Sequence, residues 1–217
     1  MDLKSGNKEQ LILEVAEKLF LEKGLAGVTT TEIANEAGVN HALLHYYYRT
    51  KENLFDKIFE RKSAQLIESF SITIKDESSF FEKLKDGIET HFDFMSKNPK
   101  LPLFIIREVA NDKDRKAFIL KNLFPVGRVI YEKFKILIQN EIEEGAIRPV
   151  KTIDLLFNIA SLNVFAFIAA QIAFDMDSKE EQEAMLTFLK ERKKNNVELI
   201  INSLKIVTSY ELQVTRK

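Results

Sequence analysis

The stretch "TTTEIANEAGVNHALLHYYYRTKENLF", residues 29–55, has the pattern of two short helices joined at a glycine. Thr29 is a typical N-cap, and Glu32 three residues later completes the sequence pattern of a capping box. The first helix ends after about two turns, and the second starts near Asn40 and ends before Arg49. Two short helices around a tight glycine turn predict a helix-turn-helix.

The second of these helices carries side chains suited to reading DNA. From Ala37 to Lys51 there are two cations, two of the three histidines of the chain and no carboxylate. In a helix-turn-helix the N-terminal part of the second helix reaches base edges in the major groove. Asparagine and histidine can hydrogen-bond to bases, small apolar side chains can contact thymine methyl groups, and tyrosine hydroxyls can donate to phosphates. The residues predicted to face DNA are Asn40, His41, Ala42, Leu43, His45, Tyr46 and Tyr47, while Val39, Leu44 and Tyr48 are predicted to face the core.

Lys51 is predicted to hold a phosphate. It falls in the first turn of the next helix, after Thr50 as N-cap. A cation there opposes the helix dipole by about 0.3–1 kcal/mol. A bound phosphate would reverse this balance, because helix N-termini attract anions and lysine adds a point charge.

Composition restricts the chemistry open to the chain. Its 217 residues are 45% hydrophobic and 30% charged, with a net charge of -1, as in an ordinary globular protein. The absence of cysteine excludes disulfides, thiolate zinc sites and a cysteine nucleophile. The polar N-terminus has no apolar signal core, so we expect a cytoplasmic protein.

The whole chain is predicted to be all-α. Apolar residues recur at spacings of three and four throughout, and seven glycines and four prolines are too few to punctuate a sandwich or barrel. The sequence does not decide whether one helix begins before or after Pro125, or whether the last helix is broken midway. Predicted helices cover about residues 7–23, 30–37, 40–48, 51–74, 79–97, 102–111, a segment reaching 144, 152–174 and 178–210.

Residues 8–55 resemble the N-terminal domain of TetR-family transcriptional regulators. The resemblance rests on "ILEVAEKLFLEKG", "VTTTEIANEAGV" and "HYYYRTKENLF". It implies a DNA-binding domain over residues 1–50 and a helical effector-binding and dimerisation domain over 51–217. It also implies that Thr30 and Lys51 contact phosphate and that Tyr48 takes the place of a buried phenylalanine. His45 departs from the family pattern, which usually has a tyrosine there.

The segment "LLFNIASLNVFAFIAAQIAF" between Asp154 and Asp175 has no charge. Its length would allow a membrane span. Polar residues such as Asn158 and Asn163 oppose that, so we expect a soluble helix with one face in the core and another on a second copy of the chain. The resemblance implies dimerisation through the last two helices, whose final stripe is Val197, Ile200, Ile201, Leu204 and Val207.

The middle helices are predicted to hold a small-molecule effector. TetR-like proteins keep their effectors there, and the many phenylalanines suggest an apolar or aromatic ligand. The candidate lining and anchoring residues are His91, Phe92, Met95, Phe104, Arg107, Asn163 and Phe167.

Taken together, the sequence predicts a homodimeric DNA-binding regulator on a palindromic operator, a repressor released by its effector. No cofactor is predicted, and no nucleophile, metal-protease or phosphate-loop motif indicates an enzyme. His41 and His45 are four residues apart, but no third metal ligand lies near them in sequence. The alternative is a helical small-molecule-binding or protein-interaction module that does not bind DNA.

Overall fold

The computed structural model describes residues 3–73, 78–175 and 177–206 of the chain. Within these ranges the chain is all-α, with no strand, as predicted. The helices are α1 (Leu3–Lys23), α2 (Thr30–Glu36), α3 (His41–Tyr48), α4 (Lys51–Thr73), α5 (Phe80–Lys97), α6 (Leu101–Asn111), α7 (Lys113–Glu143), α8 (Thr152–Ala173) and α9 (Lys179–Leu204).

The sequence left one feature of α7 and one of α9 undecided, and the structure decides both. α7 continues through Pro125 for 31 residues, although proline lacks the N–H that this turn would use. α9 runs unbroken to Leu204. Val207 and the predicted extension towards residue 210 lie outside the described residues.

A capping box is complete at α5, and the one predicted at α2 is half formed. At α5, Ser79 Oγ accepts the Glu82 backbone N–H, and the Glu82 carboxylate accepts from the Ser79 N–H at 2.9 Å. At α2, Thr29 Oγ1 accepts from the Glu32 N–H at 3.1 Å. The second bond of the predicted capping box, from the Thr29 backbone N–H to the Glu32 carboxylate, is wrong, because that carboxylate pairs with Lys23 instead.

The chain packs as two compact units, each built from two segments. The first consists of Met1–Leu66 and Lys100–Phe124, and the second of Ile67–Pro99 and Pro125–Lys217. The division between residues 1–50 and 51–217 therefore remains a prediction about function, since packing groups α6 and the start of α7 with the N-terminal helices.

The first unit holds α2 and α3 against a core of aliphatic and phenylalanine side chains. Phe55 is its centre, with ring centroids 6.5 Å from Phe20 and 5.9 Å from Phe104. One charged group is buried beside this core: Glu108, 5% exposed, accepts from the Leu25 backbone N–H at 3.2 Å. Its other oxygen lies 2.8 Å from Arg115 Nε. Other fully enclosed members are Ile12, Ile33, Leu44, Leu54 and Ile119.

The second unit is built around α5, α8 and α9, which pack against one another. Gly87 on α5 allows α7 to approach closely, because a Cβ at this position would lie 2.8 Å from the Phe134 ring. The core is aliphatic at its centre. Its most enclosed members are Leu84, Ile88, Ile138, Ile147, Leu155 and Leu204.

α8 is, within the described part of the chain, the one helix long and apolar enough to pass a membrane-span test. It packs against α5 and α9 and buries Asn163 completely. One side of the helix stays open: Phe157 is 70% exposed and Phe165 65%. The helix is thus apolar all round, with one face in the unit and another uncovered, as its sequence predicts.

Candidate nucleic-acid interface

The turn between α2 and α3 is closed by hydrogen bonds that require a left-handed residue. Gly38 has φ +61°. Its N–H donates to Asn35 O at 3.1 Å, and the Val39 N–H donates to Ala34 O at 3.0 Å. This pair of bonds is a Schellman motif, and glycine adopts its backbone conformation without steric cost. The turn fixes the direction in which α3 leaves α2.

α3 is buried along one side and open along the other. Leu44 and Tyr48 are buried as predicted, and burial raises the pKa of the Tyr48 hydroxyl, with the nearby Glu9 contributing. Val39 packs against the same core. Of the residues predicted to face DNA, Asn40, His41, Ala42, His45 and Tyr46 are exposed, and Thr30, Leu43, Tyr47 and Lys51 are half-buried.

Asn40 has a structural task that restricts what it can offer a base. Its Oδ1 accepts the Leu43 backbone N–H at 2.8 Å, so Asn40 is the N-cap of α3. The amide NH₂ is left as the group best placed to donate outward. Because an N-cap contributes about 0.5–2 kcal/mol, truncating Asn40 would weaken α3 as well as remove a base contact.

Two of the predicted DNA-facing residues are joined to each other. Thr30 Oγ1, at the start of α2, lies 2.9 Å from His41 Nε2, at the start of α3. The bond ties the two helix N-termini together and leaves His41 Nδ1 as the ring nitrogen for an outside partner. Within the described residues, no group of three or more His, Cys, Asp or Glu side chains is placed to hold a metal ion.

The tyrosines after His45 differ in their packing. Tyr46 is 78% exposed, and its ring meets that of Tyr47 edge-on with centroids 5.4 Å apart. Tyr47 packs partly against the core of the first unit. An exposed aromatic ring braced by a half-buried one is a rigid support for a hydroxyl that can donate to a phosphate.

Lys51 anchors the loop between α1 and α2. Its Nζ donates to Leu25 O at 3.0 Å and to Val28 O at 3.2 Å. Although a lysine here opposes the helix dipole, it stabilises the fold, since the ammonium binds two loop carbonyls. An ammonium has three donors, and the third remains available to an anion.

The second unit contains a buried polar chain through α9, α8 and α5. Arg192 Nη2 donates to Asn196 Oδ1 at 2.9 Å, and Asn196 Nδ2 donates to Asn163 Oδ1 at 3.0 Å. Asn163 Nδ2 then donates to Ile88 O at 3.0 Å and lies 3.2 Å from His91 Nδ1. Asn163 and Asn196 are both fully buried.

The donor-to-acceptor direction of these hydrogen bonds fixes the tautomer of His91. A guanidinium can only donate, so the amide oxygen of Asn196 faces Arg192 and its NH₂ faces Asn163. The Asn163 NH₂ then faces the imidazole, whose Nδ1 must accept. Burial lowers the pKa of His91 to about 4, so the ring is neutral at pH 7 and carries its proton on Nε2.

The N-terminal region matches a known protein family over the helices just described. Residues 12–58 match the family described as "Bacterial regulatory proteins, tetR family". A solved tetR-family regulatory protein from Rhodococcus RHA1 superposes with a TM-score of 0.69 at 16% identity, covering 93% of this chain and 98% of that one. Residues 12–58 therefore form a TetR-type N-terminal domain, and the chain has a TetR-like fold.

Three further proteins extend the comparison. The ketosteroid transcriptional regulator KstR2 of Mycobacterium tuberculosis shares the fold, with a TM-score of 0.68 at 15% identity over 95% of this chain and 97% of that one. The nucleoid occlusion factor SlmA of Mannheimia succiniciproducens is 27% identical over 143 residues, 66% of each chain. The fatty acid metabolism regulator protein of Bacillus subtilis is 28% identical over 96 residues, 44% of this chain and 50% of that one. The chain spans from about two-fifths to about two-thirds of the length of the first curated relatives it matches.

The residues predicted to bind an effector fall in different units. Phe104 and Arg107 belong to the first unit, where Phe104 is part of the core and Arg107 Nη2 donates to Phe20 O at 3.4 Å. The other five belong to the second unit: His91, Phe92, Met95, Asn163 and Phe167. Within it, the Phe92 and Phe167 rings are in contact, with centroids 4.9 Å apart. The structure therefore does not gather the seven into one unit.

Two members of the buried hydrogen-bonded network were not predicted from the sequence. Asn196 and Arg192 carry no motif, and both lie on α9 in or close to the charged run at residues 190–194. Their roles depend on α9 packing against α8. A polar residue at a core position of an amphipathic helix was the one signal available for Asn196.

Proposed function

We propose that this chain is a homodimeric TetR-family transcription regulator that binds operator DNA through α2 and α3. The observation that carries the proposal is the division of α3 into a buried apolar side and an exposed side of polar and aromatic residues. A helix serving packing alone gains nothing from two histidines and two tyrosines on its open surface. The curated relatives named above are regulators or DNA-associated factors by name, and none is named as an enzyme.

The candidate DNA contacts follow from the hydrogen-bonding and apolar groups that this surface presents. The Asn40 NH₂ and His41 Nδ1, at the N-terminal end of α3, are the candidates for base edges in the major groove. Ala42 and Leu43 are suited to thymine methyl groups. Thr30, Tyr46, Tyr47 and Lys51 are suited to phosphates, with His45 as a further donor beside them.

The uncovered side of α8 supports a dimer. Ile153, Phe157, Phe165 and Ile172 are each more than half exposed, and on α9 Leu199 is 55% exposed. So many large apolar side chains along two helices favour a second copy of the chain as the covering surface. A two-fold dimer would present its two α3 helices to half-sites about 34–36 Å apart on a palindrome.

The polar chain ending at His91 supports a small-molecule effector with a hydrogen-bond acceptor. His91 keeps part of its surface accessible, and its Nε2–H is the donor left after Nδ1 has accepted from Asn163. Phe92, Met95 and Phe167 supply apolar surroundings on the same unit. An effector with an apolar body and a carbonyl or carboxylate oxygen meets both requirements, and a saturated fatty acid is a suitable probe.

Release by the effector would make the protein a repressor acting in the cytoplasm. The effector must favour a conformation that binds the operator less well, with a coupling of about 1–3 kcal/mol in both directions. A fatty acid that stabilises the chain in a thermal-shift assay and weakens operator binding would support this. Stabilisation with unchanged operator affinity would contradict release.

Selection of DNA from a random library, followed by binding assays on the selected site, tests the main proposal. Asn40→Asp keeps the N-cap acceptor but removes the NH₂ donor, so it should change base preference by about 1–3 kcal/mol at particular positions without loss of helix. Asn40→Ser also keeps an oxygen that can serve as the N-cap acceptor, so it is the matched control for the effect of the cap. A chain that enriches no sequence, yet binds ligands or proteins, would support the alternative of a helical module without DNA binding.

A further inference from the structure

The link between α3 and α4 contains a strained arginine. Arg49 has φ +59° and ψ −50°, and it is the only non-glycine residue in the described part of the chain with positive φ. The Thr50 N–H donates to Tyr48 O at 2.6 Å, across Arg49. This bond and these angles define a γ-turn of the rare form that disfavours residues with a side chain.

Surrounding hydrogen bonds maintain this turn without help from the arginine side chain. Tyr48 O also accepts from Asn53 Nδ2 at 2.9 Å, and Thr50 Oγ1 accepts from the Asn53 backbone N–H at 3.2 Å. The Arg49 N–H donates to His45 O at 3.0 Å. All of these bonds use other side chains or the backbone, so glycine would fit the position with less strain.

The guanidinium itself is exposed, and it forms no hydrogen bond or ion pair with any other residue that the structure describes. A side chain that adds strain and supports no fold contact needs another explanation, and strained residues cluster at functional sites. Tyr47 and Lys51, two residues to either side, belong to the surface proposed to meet DNA. Arg49 follows the C-terminal end of α3, where the helix has passed the base edges and borders the DNA backbone.

We propose that Arg49 is a further DNA contact, whose guanidinium binds a backbone phosphate next to the one held by Lys51. The planar fork of a guanidinium matches two phosphate oxygens, and its charge does not depend on pH. The γ-turn sets the point at which the side chain leaves the backbone. This inference rests on the DNA-binding function proposed above and adds a residue to its surface.

Three substitutions separate the charge from the strain. Arg49→Gly removes both, Arg49→Gln removes the charge only, and Arg49→Lys keeps the charge without the fork. Arg128→Gln is the matched control, since it removes one exposed arginine from α7 in the other unit. Each full-length variant is assayed for thermal unfolding and for binding to the DNA selected by the wild-type chain, over a range of salt concentrations.

The glycine variant should become more stable and bind DNA less well. We expect its Tm to rise by about 2–4 °C, because the left-handed conformation no longer carries a penalty. The slope of log K against log salt should fall by about one per lost contact in both Arg49→Gly and Arg49→Gln. Between 50 and 200 mM salt this corresponds to about a fourfold change in the affinity ratio of wild type to variant. Arg49→Lys should lose less, and Arg128→Gln should match wild type.

Wild-type affinity and salt slope in both Arg49→Gly and Arg49→Gln would overturn the contact while leaving the DNA-binding function intact. A lower Tm in Arg49→Gly, together with weaker binding, would also overturn it, because that result assigns Arg49 to the fold. Failure of the wild-type chain to bind any DNA would overturn the proposed function, and this inference with it.

Discussion

His91 makes the stability of the protein depend on pH in a predictable window. Asn163 donates to its Nδ1, and burial lowers the pKa of the folded imidazole to about 4. In the unfolded chain a histidine titrates near pH 6.5. Between these two values the unfolded chain binds a proton that the folded chain does not, so the free energy of unfolding must fall as pH is lowered through the window.

The size of the effect follows from the two pKa values. A difference of about 2.5 pKa units sets an upper limit of about 3 kcal/mol, reached below the folded pKa. Only a small part of this is lost at pH 7. At pH 5 about 2 kcal/mol is lost, before most carboxylates begin to titrate. The interval from pH 7 to pH 5 therefore isolates the imidazole better than a full acid titration would.

Urea unfolding of wild type and His91→Gln at pH 7 and pH 5 measures this contribution. Glutamine has a carbonyl oxygen that can accept from Asn163, but it does not titrate. Wild type should lose about 2 kcal/mol more than the variant between the two pH values, since the other titrating groups cancel in the comparison. Equal losses in the two proteins would refute the neutral, enclosed imidazole and the tautomer inferred from it.

Three further predictions concern packing. Replacing both Phe157 and Phe165 by serine should convert the proposed dimer to a monomer in sedimentation experiments with helix content unchanged, and a dimer of wild-type strength would place the interface elsewhere. Glu108→Ala should lower the free energy of unfolding in urea by about 3–5 kcal/mol, because it leaves a buried ion pair without its carboxylate; Glu108→Gln keeps the acceptor and should lose less, and identical losses would contradict a role for the hydrogen bond to the Leu25 N–H. Gly87→Ala should cost about 1–3 kcal/mol, because its Cβ would lie 2.8 Å from the Phe134 ring; an unchanged urea midpoint would mean that the ring yields.

Much of the fold could be predicted from local patterns. The glycines after α1 and α2 and the caps at Thr29 and Ser79 are short-range signals, and each depends on residues within one helical turn. The predicted DNA-facing surface follows the same rule. Once Leu44 and Tyr48 are assigned to the core, the helical period places Ala42 and Tyr46 on another face, while Asn40 and His41 lie at the N-terminal end of α3. The DNA role of that surface remains a prediction.

Other features could not be predicted because they depend on partners distant in sequence. Lys51 reaches carbonyls of the α1–α2 loop, more than twenty residues earlier, and Glu108 caps the Leu25 N–H from α6. Pro125 gave a strong local signal for a helix boundary, yet α7 continues through it. In that case helical residues on both sides outweigh the one missing backbone hydrogen bond.

The sequence by itself determined that the chain is helical, where its short helices begin and end, and which face of α3 is polar. These properties arise from backbone preferences and from the 3.6-residue period, which act over a few neighbours. Only the tertiary structure decided that Asn163 and Asn196 form one buried hydrogen-bonded network that sets the proton position on His91. This network depends on hydrogen bonds that exist only after α5, α8 and α9 have packed, and a buried donor or acceptor takes whichever partner that packing brings within reach.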